Sequence, residues 1–359
     1  MTPNYTNVHL KFKLDNISYN HEELMEVAYS YVKEGVSYQQ ELGNFLLDWL
    51  DYKDYIITKT SGSTGKPKNI KIKKQAMVNS ALATGDFFNL KPGDKVLHCL
   101  PANFIAGKMM MVRAIILGLE LDMVEPTALP KIDYEKDYAF CAFTPMQLKN
   151  FAEYLNNIKT VIVGGGYVSE AIIEAIKDKK PEVYETYGMT ETVTHIAVKK
   201  LNNFKDTDSS TFNHFKTLPN ITVTTDDRDC LVINAPYLSE EKIVTNDIVK
   251  IHSDTSFEWI GRFDNVINSG GIKLYPEQIE KKLKKVIDKQ FFITSMPDNT
   301  LGNKVVLIIE DETNKIDSSI FDGLDKYEKP KAVFAVSKFI ETKSGKIQRA
   351  KTLDLIKLN

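Results

Sequence analysis

The stretch TSGSTGKPK, residues 60–68, gathers four hydroxyl side chains, two glycines and two lysines within nine positions. Gly62 and Gly65 let the backbone turn so that its N–H groups point inward. Thr60, Ser61, Ser63 and Thr64 offer hydroxyl donors, and Lys66 and Lys68 add positive charge. Such a loop suits an anion, a phosphate above all. It is not a Walker A loop: laying G-x-x-x-x-G-K-[ST] on it from Gly62 puts Pro67 where the second glycine must stand. The flanking runs YIITK and NIKIK read as short strands, which predicts a strand-loop-strand unit without the helix dipole of P-loop NTPases. A polar hairpin tip has the same composition, so other segments must decide.

At 359 residues the chain exceeds the usual single-domain size, and two domains sharing a substantial core are the expectation. With 43% hydrophobic and 26% charged residues the composition is that of a soluble globular protein. A net charge of -2 gives no global footprint for nucleic acid. The basic clusters KNIKIKK and KKLKKVIDK alternate with apolar residues and read as solvated faces. The start has no apolar core of a signal peptide, and the longest apolar stretch, 104–119, is interrupted by Lys108 and Arg113, so no membrane span is expected. Cys99, Cys141 and Cys230 lie far apart inside apolar runs without metal-ligand spacing and read as reduced core residues of a cytoplasmic protein.

Residues 20–34 carry apolar groups at helical spacing behind the cap pair Asn20 and Glu23. From 55 to 187, strand-like runs (DYIITKT, KVLHCLP, YAFCAFT, TVIVGG, EVYETYG) alternate with helical segments near 75–88, 105–118, 146–156 and 169–179, which predicts βα units around a largely parallel sheet. Between 217 and 262 the texture changes to short strands and polar turns, a small β subdomain. Beyond it, Pro276 suits the first turn of a helix whose Ile279, Leu283 and Val286 share a face, and strands at 290–296, 304–310 and 331–337 complete an α+β unit. The fold class expected is therefore α/β, with a large N-terminal domain over residues 1–263 and a small α+β domain over 264–359.

Four more stretches hold functional residue types in loop settings. VIVGGGYVSEAI (161–172) ends a strand in Gly164, Gly165 and Gly166, where a flat ligand can approach the backbone, although a tight βα turn explains one or two glycines. YGMTET (187–192) sets Tyr187, which can stack on a base, beside Thr190, which can bond a phosphate, and Glu191, whose carboxylate suits Mg²⁺. TND (245–247) ends in an acid suited to a ribose diol, though acidic turns also serve structure. ETKSGKIQR (341–349) carries Lys346 after a glycine on what reads as a mobile loop.

Taken in order, TSGSTGKPK, GGG, YGMTET, TND, GRFDNVINSGGIKLYPEQIE and SGKIQR resemble the signature series of the acyl-adenylate-forming superfamily, which comprises acyl-CoA synthetases, adenylation domains and luciferases. The resemblance spans roughly residues 55–350. No segment is specific alone; their order is. It implies that loop 60–68 holds the β- and γ-phosphates of ATP, that Gly165, Gly166 and Tyr187 flank adenine, and that Thr190 contacts the α-phosphate. It further implies that Glu191 ligates Mg²⁺, that Asp247 binds the ribose hydroxyls with help from Arg262, and that Lys346 reaches the acyl-phosphate oxygens. In this family a carboxylate and ATP give acyl-AMP and pyrophosphate, and a thiol then displaces AMP. Asp264 matches the hinge about which the small domain turns between these halves, and Gly270 and Gly271 match the face shown to coenzyme A. Attack on phosphorus spreads charge over oxygens and calls for cations and donors, which these residues supply.

For the acyl group, Asn103-Phe104-Ile105 lacks the aspartate that amino-acid adenylation domains place after the phenylalanine, and no carrier domain follows Asn359. Only 59 residues precede Thr60, fewer than members commonly carry, which favours a small acid over a long fatty acyl chain. PANFIAGKMMMVRAIILG and AFTPMQLKNFAEYL look like the matching stretches of o-succinylbenzoate–CoA ligases of menaquinone biosynthesis, whose substrate is an aromatic dicarboxylate. Its second carboxylate needs a counter-ion; Lys108 is the first candidate and Arg113 the second, with Phe104 at the start of the same acyl-pocket stretch. Another small acid, a non-catalytic nucleotide binder and a P-loop NTPase are the competing readings. Oligomeric state, homo-oligomers included, stays open.

Overall fold

The computed structural model describes residues 3–59, 69–204, 214–313, 316–341 and 347–357. The loop Thr60–Lys68 and Lys346 thus lie outside the described residues. Two short strands, β1 (Lys13–Leu14) and β2 (Ile17–Ser18), lead into α1 (His21–Glu34). This helix starts where the cap pair predicts: Asn20 Oδ1 accepts from the N–H groups of Glu22 and Glu23 at 2.9 and 3.0 Å, and Glu23 Oε2 accepts from the Asn20 N–H at 2.8 Å. A helix not anticipated from the sequence follows, α2 (Ser37–Leu50), with Leu42, Phe45, Leu46 and Trp49 buried.

Strands β3 (Tyr55–Lys59) and β4 (Asn69–Lys73) pair antiparallel in register Tyr55↔Lys73, so the strand-loop-strand reading holds. Then come α3 (Lys74–Phe88), β5 (Lys95–His98), α4 (Ile105–Leu117), β6 (Glu120–Met123), β7 (Tyr138–Phe143), α5 (Pro145–Phe151), β8 (Ile158–Val163), α6 (Glu170–Ile176) and β9 (Glu182–Gly188). Strands β9, β8, β7, β5, β6 and β1 run parallel in that spatial order. Their side chains alternate between two cores: Phe140 and Ala142 face the cluster holding α1–α4, whereas Cys141 and Phe143 face Leu148, Phe151, Ile172 and Ile176 of α5 and α6.

β10 (His195–Lys200) turns back antiparallel to β9 and carries β11 (Phe215–Thr217), with β12 (Thr222–Thr225), β13 (Cys230–Asn234), β14 (Ile243–Ser253) and β15 (Ser256–Arg262) beyond. The small β region foreseen at 217–262 is therefore hydrogen-bonded into one 13-stranded sheet, while packing on a hydrophobic cluster of its own around Phe215, Leu231, Ile233 and Phe257.

The C-terminal part comprises β16 (Ile267–Ser269), β17 (Ile272–Leu274), α7 (Pro276–Leu283), β18 (Phe291–Asp298), β19 (Gly302–Glu310), β20 (Ala332–Val336) and α8 (Arg349–Lys357). Its three-stranded sheet, ordered β18-β19-β20, packs Ile279, Leu283, Ile293 and Leu307 into a separate cluster. Val286 does not join them: α7 stops at Leu283, which leaves Val286 exposed.

One charge reading changes. Lys74, within the cluster read as a solvated face, is 0% exposed, its Nζ donating to Asp51 Oδ1 at 2.7 Å and to the Asp51 carbonyl at 3.1 Å. The cysteines are buried and free, as expected. Among the described residues no helix is long and apolar enough to cross a membrane.

Candidate active site

The GGG and YGMTET segments meet because β8 and β9 are neighbouring parallel strands that both end there, at the carboxyl edge where open α/β sheets bind ligands. Gly164 fits against β9 only because it lacks a Cβ, which would lie 2.1 Å from Thr186 Oγ1, and Gly165 takes φ +80°. Gly164→Ala is expected to destabilise the protein by about 1–3 kcal/mol, read from the denaturant midpoint; an unchanged midpoint would show that Thr186 swings aside freely.

Tyr187 Oη donates to Asp247 Oδ2 at 2.6 Å, and its ring packs against Phe257 and Phe215 at centroid distances of 5.2 and 5.8 Å. Burial, then the adjacent Asp247 carboxylate, push the phenol far above its ordinary pKa, so it stays a donor. The register Asp247↔Arg262 brings the guanidinium across: Asp247 Oδ1 accepts from Arg262 Nη1 at 3.4 Å and from Trp259 Nε1 at 3.2 Å. Tyr187, Asp247 and Arg262, which sequence placed far apart, are thus one hydrogen-bonded group. Arg262 also lies 3.5 Å from Asp264 Oδ2, and Asn246 Nδ2 donates to the same oxygen at 3.4 Å. Arg228 supports this turn through Asn246 Oδ1 at 2.9 Å and the Thr245 carbonyl at 3.1 Å, with Phe263 under its guanidinium.

Thr190 and Glu191 open a short 3₁₀ turn directly after β9, with Glu191 exposed, a carboxylate of the kind a hard cation accepts. The turn ends in strain. Val193 adopts φ 67° and ψ −54° with the Thr194 N–H donating to the Thr192 carbonyl at 2.7 Å, a γ-turn that costs a β-branched residue about 1–3 kcal/mol. That strain aims Thr194 and His195 inward toward α4.

On α4 the two cations separate. Lys108, the first candidate, donates to the Ala102 carbonyl at 2.8 Å and lies over Phe45; burial lowers its pKa, opposed by the charges of Asp48 and Glu41 on α2. Arg113 is 2% exposed, and among the described residues no carboxylate pairs with it. Its neighbours are His195 Nδ1 at 3.4 Å, Thr84 Oγ1 at 3.4 Å, Thr194 Oγ1 at 3.5 Å and the Met110 sulfur. Burial pushes the guanidinium down to about 9 and, with the nearby Arg113 charge, lowers His195 well below the usual imidazole value. Among the described residues, His195 Nε2 and Ser80 Oγ are buried without partners on the wall of a cavity of about 250 Å³. Phe104, the residue before α4, is 53% exposed. Sequence reading missed Thr84, Thr194, His195 and Trp259; the only signal was that Thr194 and His195 immediately follow YGMTET.

Gly270 and Gly271 form the two-residue turn of the β16–β17 hairpin at φ +57° and +83°, which explains both glycines by backbone geometry alone.

Residues 32–228 match the family model described as AMP-binding enzyme. The chain belongs to that family. This AMP-binding enzyme is an acyl-adenylate-forming ligase, as its ordered motifs imply. It is similar to the 2-succinylbenzoate–CoA ligase of Listeria monocytogenes serotype 4b, 26% identical over 383 positions that cover 96% of this chain and 81% of the relative. A solved acyl-CoA synthetase (AMP-forming)/AMP-acid ligase II-like protein from Dyadobacter fermentans is 34% identical, with a TM-score of 0.61 over 92% of this chain and 98% of that one. The O-succinylbenzoate coenzyme A synthetase of Bacillus subtilis, solved with ATP and magnesium ion, shares the fold at 18% identity, with a TM-score of 0.70 over 83% of this chain and 69% of that one.

Proposed function

We propose that this enzyme activates 2-succinylbenzoate: its carboxylate attacks the α-phosphorus of ATP, pyrophosphate leaves, and the thiol of coenzyme A then displaces AMP to give the acyl-CoA of menaquinone biosynthesis. The observation that carries the choice of acid is Arg113. A guanidinium buried without an anion is costly, and a substrate carboxylate entering beside Thr194 and His195 supplies the missing charge with two further polar contacts. Lys108, whose ammonium donates to the Ala102 carbonyl, leaves this role to Arg113.

In this reading Thr60–Lys68 cradles the outer phosphates, Gly165, Gly166 and Tyr187 border adenine, Asp247 and Arg262 take the ribose, and Thr190 meets the α-phosphate. Glu191 would hold Mg²⁺, which would supply positive charge to the phosphates; an exposed carboxylate at a sheet edge is a donor that this hard cation accepts. Residues 1–263 and 264–359 act as two domains about Asp264, with Lys346 serving the first half-reaction and Gly270 and Gly271 facing the thiol in the second. The separate hydrophobic cluster of the C-terminal part supports this division.

Incubation with ATP, Mg²⁺, coenzyme A and 2-succinylbenzoate is expected to yield the acyl-CoA and AMP in equal amounts by mass spectrometry; AMP without thioester would refute the second step. Asp247→Asn, which leaves one of the three donors on this carboxylate without an acceptor, is expected to raise KM for ATP on the order of tenfold. An unaltered KM with a lowered Tm would place Asp247 in the fold alone.

A further inference from the structure

The segment 339–349 is fastened to the C-terminal sheet at its start, where the Phe339 N–H donates to Glu310 Oε2 at 2.7 Å, and at its end by an ion pair between Arg349 and Glu280. β18 is the free edge of its sheet, and at Ile293 both backbone groups face outward, away from β19. Two side chains stand in for the missing strand. Glu280 Oε1 of α7 accepts from the Ile293 N–H at 2.8 Å, and Arg349 Nη1, on the first residue of α8, donates to the Ile293 carbonyl at 3.1 Å. Arg349 Nη2 closes the circuit on Glu280 Oε2 at 2.8 Å. Glu280 is nearly fully buried, so it depends on this partner. On the other side of the segment, Glu341 and Ile347 form an isolated bridge, the Gln348 N–H donates to the Ile340 carbonyl at 2.7 Å, and Thr352 Oγ1 accepts from the Ile340 N–H at 3.1 Å.

We propose that Arg349, locked by Glu280 onto the open edge at Ile293, is a positioning residue for adenylation: it fixes the exit of the short segment that carries Lys346, three residues upstream in the chain. The proposal rests on the reading of Lys346 given above. It gives a role to the last residue of the SGKIQR motif, which among the described residues touches none of the nucleotide-binding group. A lysine that must meet a transient charge gains from a fixed root, since displacement by an ångström is enough to lose much of its effect. Lysine at 349 cannot replace the fork, because one ammonium cannot reach Ile293 and Glu280 in the same bidentate manner.

The test separates the half-reactions. ATP–pyrophosphate exchange and thioester formation from supplied acyl-AMP are measured for Lys346→Ala, Arg349→Met, Arg349→Lys and Glu280→Gln, with Tm for each. Arg349→Met is expected to lower kcat of exchange on the order of 10- to 100-fold while KM for ATP and the thioester half change less than about twofold. Arg349→Lys should recover little of this, and Glu280→Gln, which keeps an acceptor for the Ile293 N–H, should fall between Arg349→Met and wild type. If Lys346→Ala leaves exchange intact, the reading beneath the proposal fails and the proposal with it. If Lys346→Ala abolishes exchange, yet Arg349→Met leaves it intact or lowers both half-reactions in proportion to Tm, Arg349 is a structural residue and the proposal alone is overturned.

Discussion

Replacing Lys346 by alanine is expected to lower acyl-adenylate formation by about two to three orders of magnitude while thioester formation from supplied acyl-AMP stays near its wild-type rate. As carboxylate oxygen bonds to the α-phosphorus, negative charge builds on the oxygens between acyl carbon and phosphorus. A lysine there interacts more strongly with the transition state than with bound substrates, so the loss falls on kcat. In the second half-reaction the leaving group is AMP and the attacking atom is sulfur, and the proposed turn about Asp264 takes Lys346 away. Pre-steady-state measurement of each half gives the answer: equal losses in both would contradict the division of labour between domain orientations.

Arg113→Met is expected to act on the acid and not on the nucleotide. Methionine keeps much of the buried volume while deleting the charge, so the fold should tolerate it or gain from it, because a buried cation with no carboxylate partner among the described residues is removed. The substrate then has a carboxylate with no partner. The cost should be about 2–5 kcal/mol in kcat/KM for 2-succinylbenzoate, which is roughly 30- to 5,000-fold. KM for ATP should hardly move. Discrimination against 4-oxo-4-phenylbutanoate, which lacks the second carboxylate, should largely vanish. Lys108→Met, by contrast, should leave that discrimination unaltered, since its ammonium is occupied by Ala102. The reverse pattern between these two variants would return the counter-ion role to Lys108.

Much of the fold was legible because its signals are local. The Asn20–Glu23 cap pair, the alternation from Tyr55 to Gly188 and the strands on either side of residues 60–68 each depend on spacing within one element. Helix α2 was readable in principle, with Leu42, Phe45, Leu46 and Trp49 at helical spacing, yet its N-terminus at Val36 lacks a polar cap side chain and so gives no start signal. Lys74 was misread because its burial is decided by Asp51, 23 residues away. The same holds for the site. Ordered motifs named Tyr187, Asp247 and Arg262, but only the register of β14 against β15 and the end of β9 show that they form one group. Arg113 and Lys108 sit on one uniformly apolar helix, where sequence gives no reason to prefer either. What separates them is which neighbours arrive from outside: an acidic face of α2 for Lys108, and the strained turn at Val193 for Arg113.

The central claim, that this chain adenylates a dicarboxylic aromatic acid, is tested most directly by ATP–pyrophosphate exchange over a panel of small carboxylic acids that includes 2-succinylbenzoate, its analogue without the second carboxylate, and a no-acid control. The expected result is Mg²⁺-dependent exchange that needs an acid and is fastest with 2-succinylbenzoate. Exchange with another acid in its place, phosphate release without any acid, or nucleotide binding without exchange would each contradict it.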